Sequence, residues 1–291
     1  MTALARPPQD LDPDSFRAIA ELAYRECGLT LVEAKSSMIC SRLRHRLRAL
    51  QVPDFAAYSR LLQSDHGRAE RRHLISALTT NVSHFFREQH HFCALRGMVQ
   101  TRAEALRRGE EMRLWSAGCA NGQEAFSAAM TVLDACTGAE AGQVRILGTD
   151  IDPKVVRFAR AATYHRRQLG GVPPGMLRRF FSAGNSGDAP ESFTATEDLR
   201  RMVRFNELNL LGPWPMTRRF DVIFCRNVVI YFDLATQQRL WPRFHDALCP
   251  EGLLFLGHSE RIAEPERFGF RCVGPTIYRA LPAPGIGKLA S

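Results

Sequence analysis

Residues 116–130 read SAGCANGQEAFSAAM, with Gly118 and Gly122 punctuating a turn. An apolar run from Met112 to Trp115 precedes it, and a helix-like run through Phe126, Ala128, Ala129 and Met130 follows. A glycine turn entering a helix often cradles phosphate, because the helix N-terminus offers free N–H groups and a positive dipole end. The spacing G-x-x-x-G is neither the G-x-G-x-x-G dinucleotide fingerprint nor the Gly-Lys-Ser/Thr of a P-loop. Glu124 stands at the start of the helix, where it competes with any phosphate for the N-terminus. A carboxylate there suits a ligand with hydroxyls, an ammonium or a sulfonium and no phosphate. S-adenosylmethionine is such a ligand. A second reading stays open, in which Asn121 caps the helix and Glu124 reaches back as its capping-box partner.

In open α/β sheets ligands collect at the carboxyl ends of the strands. Asp150, in GTDIDP, follows the run Arg145 to Gly148. An acid at the end of a second strand typically accepts hydrogen bonds from a ribose. Asp152 before Pro153 reads as a helix cap. Asn206 and Asn209, in NELNL, offer both donor and acceptor, to an adenine edge or equally to a turn. In FDVIFCRNVVIYFD an apolar strand stops at Arg226 and Asn227, and Tyr231 follows. Ahead of these, ALTTNVSHFFREQHHF sets Asn81, Ser83 and Arg87 among Val82, Phe85 and Phe86. That stretch is either an amphipathic helix with core phenylalanines or a lid over a ligand. His90 and His91 are neighbours without an HxxxH pair, and adjacent residues do not share a helix face, so no metal site is expected there.

Two kinds of element must hold these residues. From Asp14 to Arg108 the period is helical. Phe16, Ile19, Ala20, Ala23 and Cys27 form one stripe, and Ile39, Leu43, Leu47 and Leu50 form another. A helix opening near Pro53-Asp54 carries Phe55, Tyr58, Leu61 and Leu62, and Leu74, Ile75, Leu78 and Val82 mark a fourth. From Arg113 short apolar runs alternate with helical patterns, which argues for a parallel sheet with crossover helices. FRCVG and TIYRAL read as a terminal hairpin, and the Gly-, Pro- and Ser-rich stretch after Gly170, followed by SFTAT, as an inserted β subdomain.

The 291-residue chain has a net charge of +9, largely from arginine, which permits nucleic acid, an anionic surface or an acidic protein as partner. Its eight cysteines show no CxxC spacing and read as reduced core residues. No apolar stretch is long enough to span a bilayer, and MTALARPPQDLDPDSF lacks the apolar core of a signal peptide, so a cytoplasmic location is expected.

Taken in order, TTNVSHFFRE, LWSAGCANGQEAFS, ILGTDID, NELNLL, FDVIFCRNVVIYFD and LLFLGHSE resemble the chemotaxis receptor methyltransferases, the CheR family, from about Asp14 to Leu281. The resemblance implies an α/β fold: a Rossmann-like class I methyltransferase domain with an N-terminal helical bundle and a small inserted β subdomain. It implies a helical, receptor-docking domain over residues 11–88, a methyltransferase domain over 89–285, and the insertion at about 170–202. It implies S-adenosyl-L-methionine as cofactor, S-adenosyl-L-homocysteine as product, and glutamate side chains on cytoplasmic chemoreceptor helices as substrate. Carried over by motif, the cofactor contacts are Asn81, Ser83, Arg87, Gly118, Glu124, Asp150, Asn209, Leu210, Arg226 and Asn227. The family's usual Gly-Glu-Glu-Pro-Tyr-Ser is here Gly122-Gln123-Glu124-Ala125-Phe126-Ser127, which keeps the second, ligand-contacting acid.

A glutamate carboxylate has a reference pKa of about 4.3 and needs no general base to attack a sulfonium methyl group. Arg87, Arg226 and Tyr231 are expected to shape the reacting region. Arg42, Arg46 and Arg48, on the arginine-rich second helix, are expected to dock an acidic receptor, and the β subdomain is a candidate seat for a receptor C-terminal peptide. A monomer without nucleic-acid or membrane partners is expected. Val228-Val229 after Asn227 is unlike the Pro-Pro-aromatic run with which amino-methylating enzymes grip a base. The alternatives are a methyltransferase of another substrate and a non-catalytic, cofactor-binding receptor adaptor or sensor.

Overall fold

The computed structural model describes residues 10–136, 138–184 and 191–282, and counts of elements refer to these. They form two compact units. One comprises the residues up to Thr80 together with Tyr231–Thr236, and the other Asn81–Ile230 together with the residues from Gln237 on.

The first unit is built on helices α1 (Pro13–Cys27), α2 (Ser36–Ala49), α3 (Phe55–Gln63) and α4 (Arg68–Leu78). Asp12 caps α1 by accepting from Ser15 N, Pro13 opens the helix, and Gly28 closes it at φ 71°. Asp54 caps α3 through Ala57 N, which places Pro53 ahead of the cap rather than in the first turn, where the sequence had suggested it. The apolar stripes meet in a core of Phe16, Ile19, Leu43, Leu47, Phe55 and Leu74. Val82 does not continue the fourth stripe: α4 stops at Leu78, and Val82 is 74% exposed.

A polar cluster sits inside this bundle. Glu70 is buried and accepts from Arg46 Nε at 2.9 Å, Arg46 Nη2 at 2.5 Å and Tyr58 Oη at 2.8 Å. The paired hydrogen bonds raise the Arg46 pKa further, while burial and then the Glu70 charge push the Tyr58 phenol far up. Arg42 donates to Leu78 O at 2.8 Å and to Thr80 Oγ1 at 3.0 Å, capping the end of α4. Arg42 and Arg46 are thus structural members of the bundle, and Arg48 is exposed. Glu70→Ala strands the Arg46 guanidinium and the Tyr58 hydroxyl. It is expected to lower stability by about 2–3 kcal/mol, somewhat less than for a fully buried pair, as read from the urea midpoint of the chain.

The second unit holds ten strands: β1 (Met112–Ala117), β2 (Val144–Asp150), β3 (Thr163–His165), β4 (Phe181–Ala183), β5 (Ser192–Ala195), β6 (Val203–Glu207), β7 (Phe220–Cys225), β8 (Leu248–Leu256), β9 (Phe270–Gly274) and β10 (Ile277–Ala280). Its helices include α5 (Gln89–Thr101), α6 (Ala103–Arg107), α7 (Gln123–Ala135), α8 (Gly138–Ala141) and α9 (Pro153–Ala161). The main sheet runs β6-β2-β1-β7-β8-β10-β9. Pairing is parallel from β6 to β8, and the terminal hairpin β9–β10 joins antiparallel. Every residue of β7 is buried, as a central parallel strand covered on both faces requires.

The small sheet runs β3-β5-β4 and is antiparallel. It begins at Thr163, ahead of the expected start near 170, because a three-residue strand is too short to show a period of two. Residues 185–190, within the loop GNSGDAPES, lie outside the described residues, as do 283–285. Residues 81–88 group with the sheet unit, whereas the expected division fell after 88. They are irregular rather than helical, with Phe86 at φ 55° and Glu88 at φ 56°, so the amphipathic-helix reading of this stretch does not hold.

Candidate active site

Strands β2, β1 and β7 are adjacent and parallel, so their carboxyl ends lie side by side. The turns leaving them carry Gly118–Gly122, Asp150–Asp152 and Arg226–Asn227. Gly118 sits at φ +88°, and a Cβ on it meets Val228 Cγ2 at 2.3 Å. Gly122 sits at φ +85°, and a Cβ there meets Ala159 Cβ at 2.9 Å. Both conformation and space therefore demand glycine. Gly118 N and Cys119 N donate to Thr149 O, each at 2.8 Å. Asp150 accepts Ala120 N on Oδ2 at 2.9 Å and Asp152 N on Oδ1 at 3.0 Å, so one carboxylate ties the first two turns together. A carboxylate has about four acceptor sites, so it keeps capacity for a ligand beyond these bonds. Burial raises the Asp150 pKa, outweighing the backbone N–H groups of Asp152, Ala120 and Ile151.

Glu124 lies in the first turn of α7 and does not reach back. The N-cap is Gly122, without a side-chain cap, which removes the capping-box reading. Glu124 Oε1 instead accepts from Ser116 Oγ at 2.7 Å, and Oε2 from Arg226 Nη1 at 3.1 Å. The Arg226 side chain is only 2% exposed, and its Nη2 lies 3.3 Å from Glu88 Oε2. It also donates to Arg87 O and lies over the Phe92 ring, 5.8 Å from its centroid. One buried guanidinium is thus flanked by two carboxylates. Burial lifts the Glu124 pKa despite Arg226 and Ser116. At Glu88 burial also pulls upward, but Arg226 and His258 prevail and the pKa falls below the ordinary range.

The turn after β7 is fastened by a residue given no role from sequence. Glu260, buried beyond β8, accepts from Asn227 N and Val228 N at 2.8 Å, Gly257 N at 2.5 Å and Ile230 N at 3.2 Å. This cradle holds Asn227 at φ +58°, which an asparagine tolerates better than most residues.

A ligand fitting this arrangement carries hydroxyl, ammonium or sulfonium groups. Buried carboxylates line the turns, and the buried Arg226 is already paired with them. Gln123 Oε1 and Arg226 Nε are buried without a hydrogen-bond partner among the described residues. Residues 81–278 match the model of the CheR methyltransferase SAM-binding domain, and residues 14–79 that of the CheR methyltransferase all-alpha domain. The chain belongs to the CheR methyltransferase family. It is 41% identical over 270 residues to a probable chemotaxis protein methyltransferase of Rhizobium etli, covering 92% of this chain and 100% of that one. It is 40% identical over 264 residues to the chemotaxis protein methyltransferase of Escherichia coli, covering 90% and 89%. It is 39% identical over 266 residues to chemotaxis protein methyltransferase 2 of Pseudomonas aeruginosa, covering 91% and 92%. The sheet unit is accordingly a class I methyltransferase domain that uses S-adenosylmethionine, and the chain is an enzyme of chemotaxis.

Several residues expected from the CheR motifs meet in the sheet unit. Asn81 Nδ2 donates to Asp152 Oδ2 at 2.8 Å, tying the segment ahead of α5 to the turn after β2. Phe86 N donates to Ser127 Oγ at 2.9 Å, so α7 holds the same segment, in which Ser83 is half-buried. The Arg87 side chain is 27% exposed, and its Nη1 donates to Val82 O at 3.3 Å. Asp152 caps α9 as expected. Asn209 takes a turn role, accepting from Leu211 N at 3.0 Å. The carbonyl of Leu210 accepts from Trp214 Nε1 at 3.0 Å and Arg243 Nη1 at 2.6 Å. Tyr231 belongs to the segment that groups with the helical unit, where its carbonyl accepts from Thr30 N at 2.9 Å. Glu88 and Glu260 were missed. The one signal for Glu260 was an acid shortly after the apolar run GLLFLGH.

Proposed function

We propose that this chain methylates glutamate side chains on the cytoplasmic helices of chemoreceptors, in the cytoplasm and as a monomer, with residues 11–88 as the docking part. The observation that carries the reading is the buried Glu124–Arg226 pair beside Asp150. It supports a site for a zwitterionic, sulfonium-bearing ligand.

S-adenosylmethionine supplies an electrophilic methyl group on sulfur. Glu124 and Asp150 bind by accepting hydrogen bonds, Gly118 and Gly122 keep side chains out of the way, and Asn81, Ser83, Asn209, Leu210 and Asn227 complete the contacts. Arg226, already paired with two carboxylates, positions Glu124 and does not clamp the substrate, since a tight bidentate pair would blunt its attack. Arg87 closes over the site. The remaining contribution is orientation, which can lower a barrier by roughly 7–11 kcal/mol. Tyr231 is assigned a hydrogen bond to the incoming carboxylate. Tyr231→Phe is then expected to slow single-turnover methylation about tenfold at unchanged cofactor affinity, and a full rate removes Tyr231 from the mechanism.

Docking is assigned to the arginine-rich face of α2. Reversing Arg42 or Arg46 also dismantles the bundle, so Arg48 is the informative position. Arg48→Glu is expected to lower receptor methylation roughly two- to fivefold, more at low salt, with unchanged calorimetric affinity for the cofactor. The small sheet offers β3 and β4 as edges on which a receptor C-terminal peptide could add a strand.

The deciding experiment is incorporation of labelled methyl groups into a chemoreceptor from the same cell, scored for base lability as expected of esters. Cofactor binding with no transfer to receptor, other protein or nucleic acid would instead identify a non-catalytic sensor. Among the described residues, no helix is long and apolar enough to cross a membrane.

A further inference from the structure

The adjacency of His90 and His91 argued against a metal site, because neighbours point apart on a helix. At the start of α5 the structure brings them together. Their ring centroids are 4.0 Å apart. One ligand atom from each, with one carboxylate oxygen of Glu88, lies within 4.8 Å of the others. We propose that Glu88, His90 and His91 form a three-ligand site for zinc, and that occupation of this site takes the Glu88 carboxylate away from Arg226.

The hydrogen bonds around the rings favour this. His90 Nε2 lies 3.1 Å from Pro275 O. A carbonyl only accepts, so Nε2 carries the proton and Nδ1 keeps its lone pair. His91 Nε2 lies 3.0 Å from Thr276 Oγ1, and with the hydroxyl accepting in the same way its Nδ1 is free. Outer partners that fix the tautomer and orientation of ligating histidines are the usual support of a zinc site. His91 is 0% exposed and stacks on Phe255, with 4.9 Å between centroids. Its Nδ1 is buried with no hydrogen-bond partner among the described residues, as is Glu88 Oε2, and the two atoms are 3.6 Å apart. Ligand atoms around tetrahedral zinc lie about 3.3 Å apart, so small ring and carboxylate rotations close the set. Three protein ligands leave one position for water.

Arg226 sets the consequence. Its Nη2 is 3.3 Å from Glu88 Oε2, so metal and guanidinium compete for one carboxylate oxygen. The neighbouring positive charge weakens zinc binding, which makes the site exchangeable rather than structural. Displacement leaves Arg226 with Glu124 alone and alters the pair assigned to the cofactor. This second half rests on that assignment; the metal site does not.

The test uses the full chain with the exposed Cys93 and Cys272 changed to serine, titrated with cobalt(II) as a spectroscopic stand-in. One equivalent is expected to bind, with a nitrogen–oxygen ligand-field spectrum lacking thiolate charge transfer, and to be displaced by zinc. His90 is exposed, so His90→Ala tests the site without opening the core, with far-ultraviolet circular dichroism as the fold control. It should weaken cobalt binding at least tenfold. One equivalent of zinc should weaken S-adenosylmethionine binding several-fold in the parent and not in His90→Ala. No cobalt binding up to millimolar concentration overturns the site, as does binding that His90→Ala leaves unchanged. Zinc bound here with unchanged cofactor affinity overturns the coupling. If Glu124→Ala leaves cofactor affinity intact, the cofactor assignment fails while the cobalt titration still decides the metal site.

Discussion

Glu124→Ala is expected to cost S-adenosylmethionine binding about 2–4 kcal/mol, or roughly 30- to 1000-fold in Kd. Two losses combine. The ligand loses a buried acceptor, and Arg226, only 2% exposed, loses one of its two carboxylates. Glu124→Gln separates them: it keeps the Ser116 hydrogen bond and the shape but removes the charge, and should fall between parent and alanine. The same logic predicts a pH dependence. Burial raises the Glu124 pKa, so its charge is lost at a higher pH than for an ordinary carboxyl near about 4.3. Cofactor affinity should therefore be constant near neutrality and decline as pH falls toward that raised value. The decline should be smaller in Glu124→Gln but not abolished, since burial also raises the pKa of Asp150, the other carboxylate assigned to the cofactor. His91 does not contribute, since burial, then Arg226 and His90, hold its pKa down to about 3. Isothermal calorimetry across the acid range reads both effects, and equal affinities for all three proteins would remove Glu124 from the site.

Much of this site was legible because strand ends are legible. A buried parallel strand such as FDVIFC shows as an unbroken apolar run, and the first polar residues after it, Arg226 and Asn227, mark its carboxyl end. The same reasoning found Asp150 and the glycine turn before Glu124. What pairs with what was not legible. The choice between capping box and buried ion pair at Glu124 depends on Arg226, which is 102 positions away and adjacent only through the β1–β7 pairing. The arginines of α2 show the opposite failure. Their spacing advertises a basic face, but Glu70 and the end of α4 claim Arg46 and Arg42, and no local pattern announces that. Residues 81–88 misled through composition. Phe85 is buried and Phe86 partly so, as a helical stripe requires, yet the backbone turns through positive φ at Phe86 and Glu88. That same irregular entry to α5 lets two adjacent histidines converge.

Glu260 sets the limit of reading chemistry from residue type. It is an acid near the carboxyl end of a strand, as Asp150 is, yet its oxygens are filled by four backbone N–H groups from two turns. It is therefore a fastening of the turn that carries Arg226 and Asn227. Glu260→Ala orphans those four donors. An unsatisfied buried N–H costs about 1–3 kcal/mol, and water or loop relaxation recovers part of the sum, so a net loss of about 4 kcal/mol is expected. Cofactor binding should fall with stability, because Asn227 is held at φ +58° by these bonds and its neighbour Arg226 is aimed by them. Glu260→Gln retains one acceptor oxygen and should recover less than half of the loss, since an amide nitrogen cannot receive the remaining N–H groups. Urea unfolding with calorimetry on the folded fraction distinguishes this from a direct ligand contact. A Glu260→Ala protein of parental stability that binds cofactor weakly would make Glu260 a ligand-contacting residue instead of a fastening.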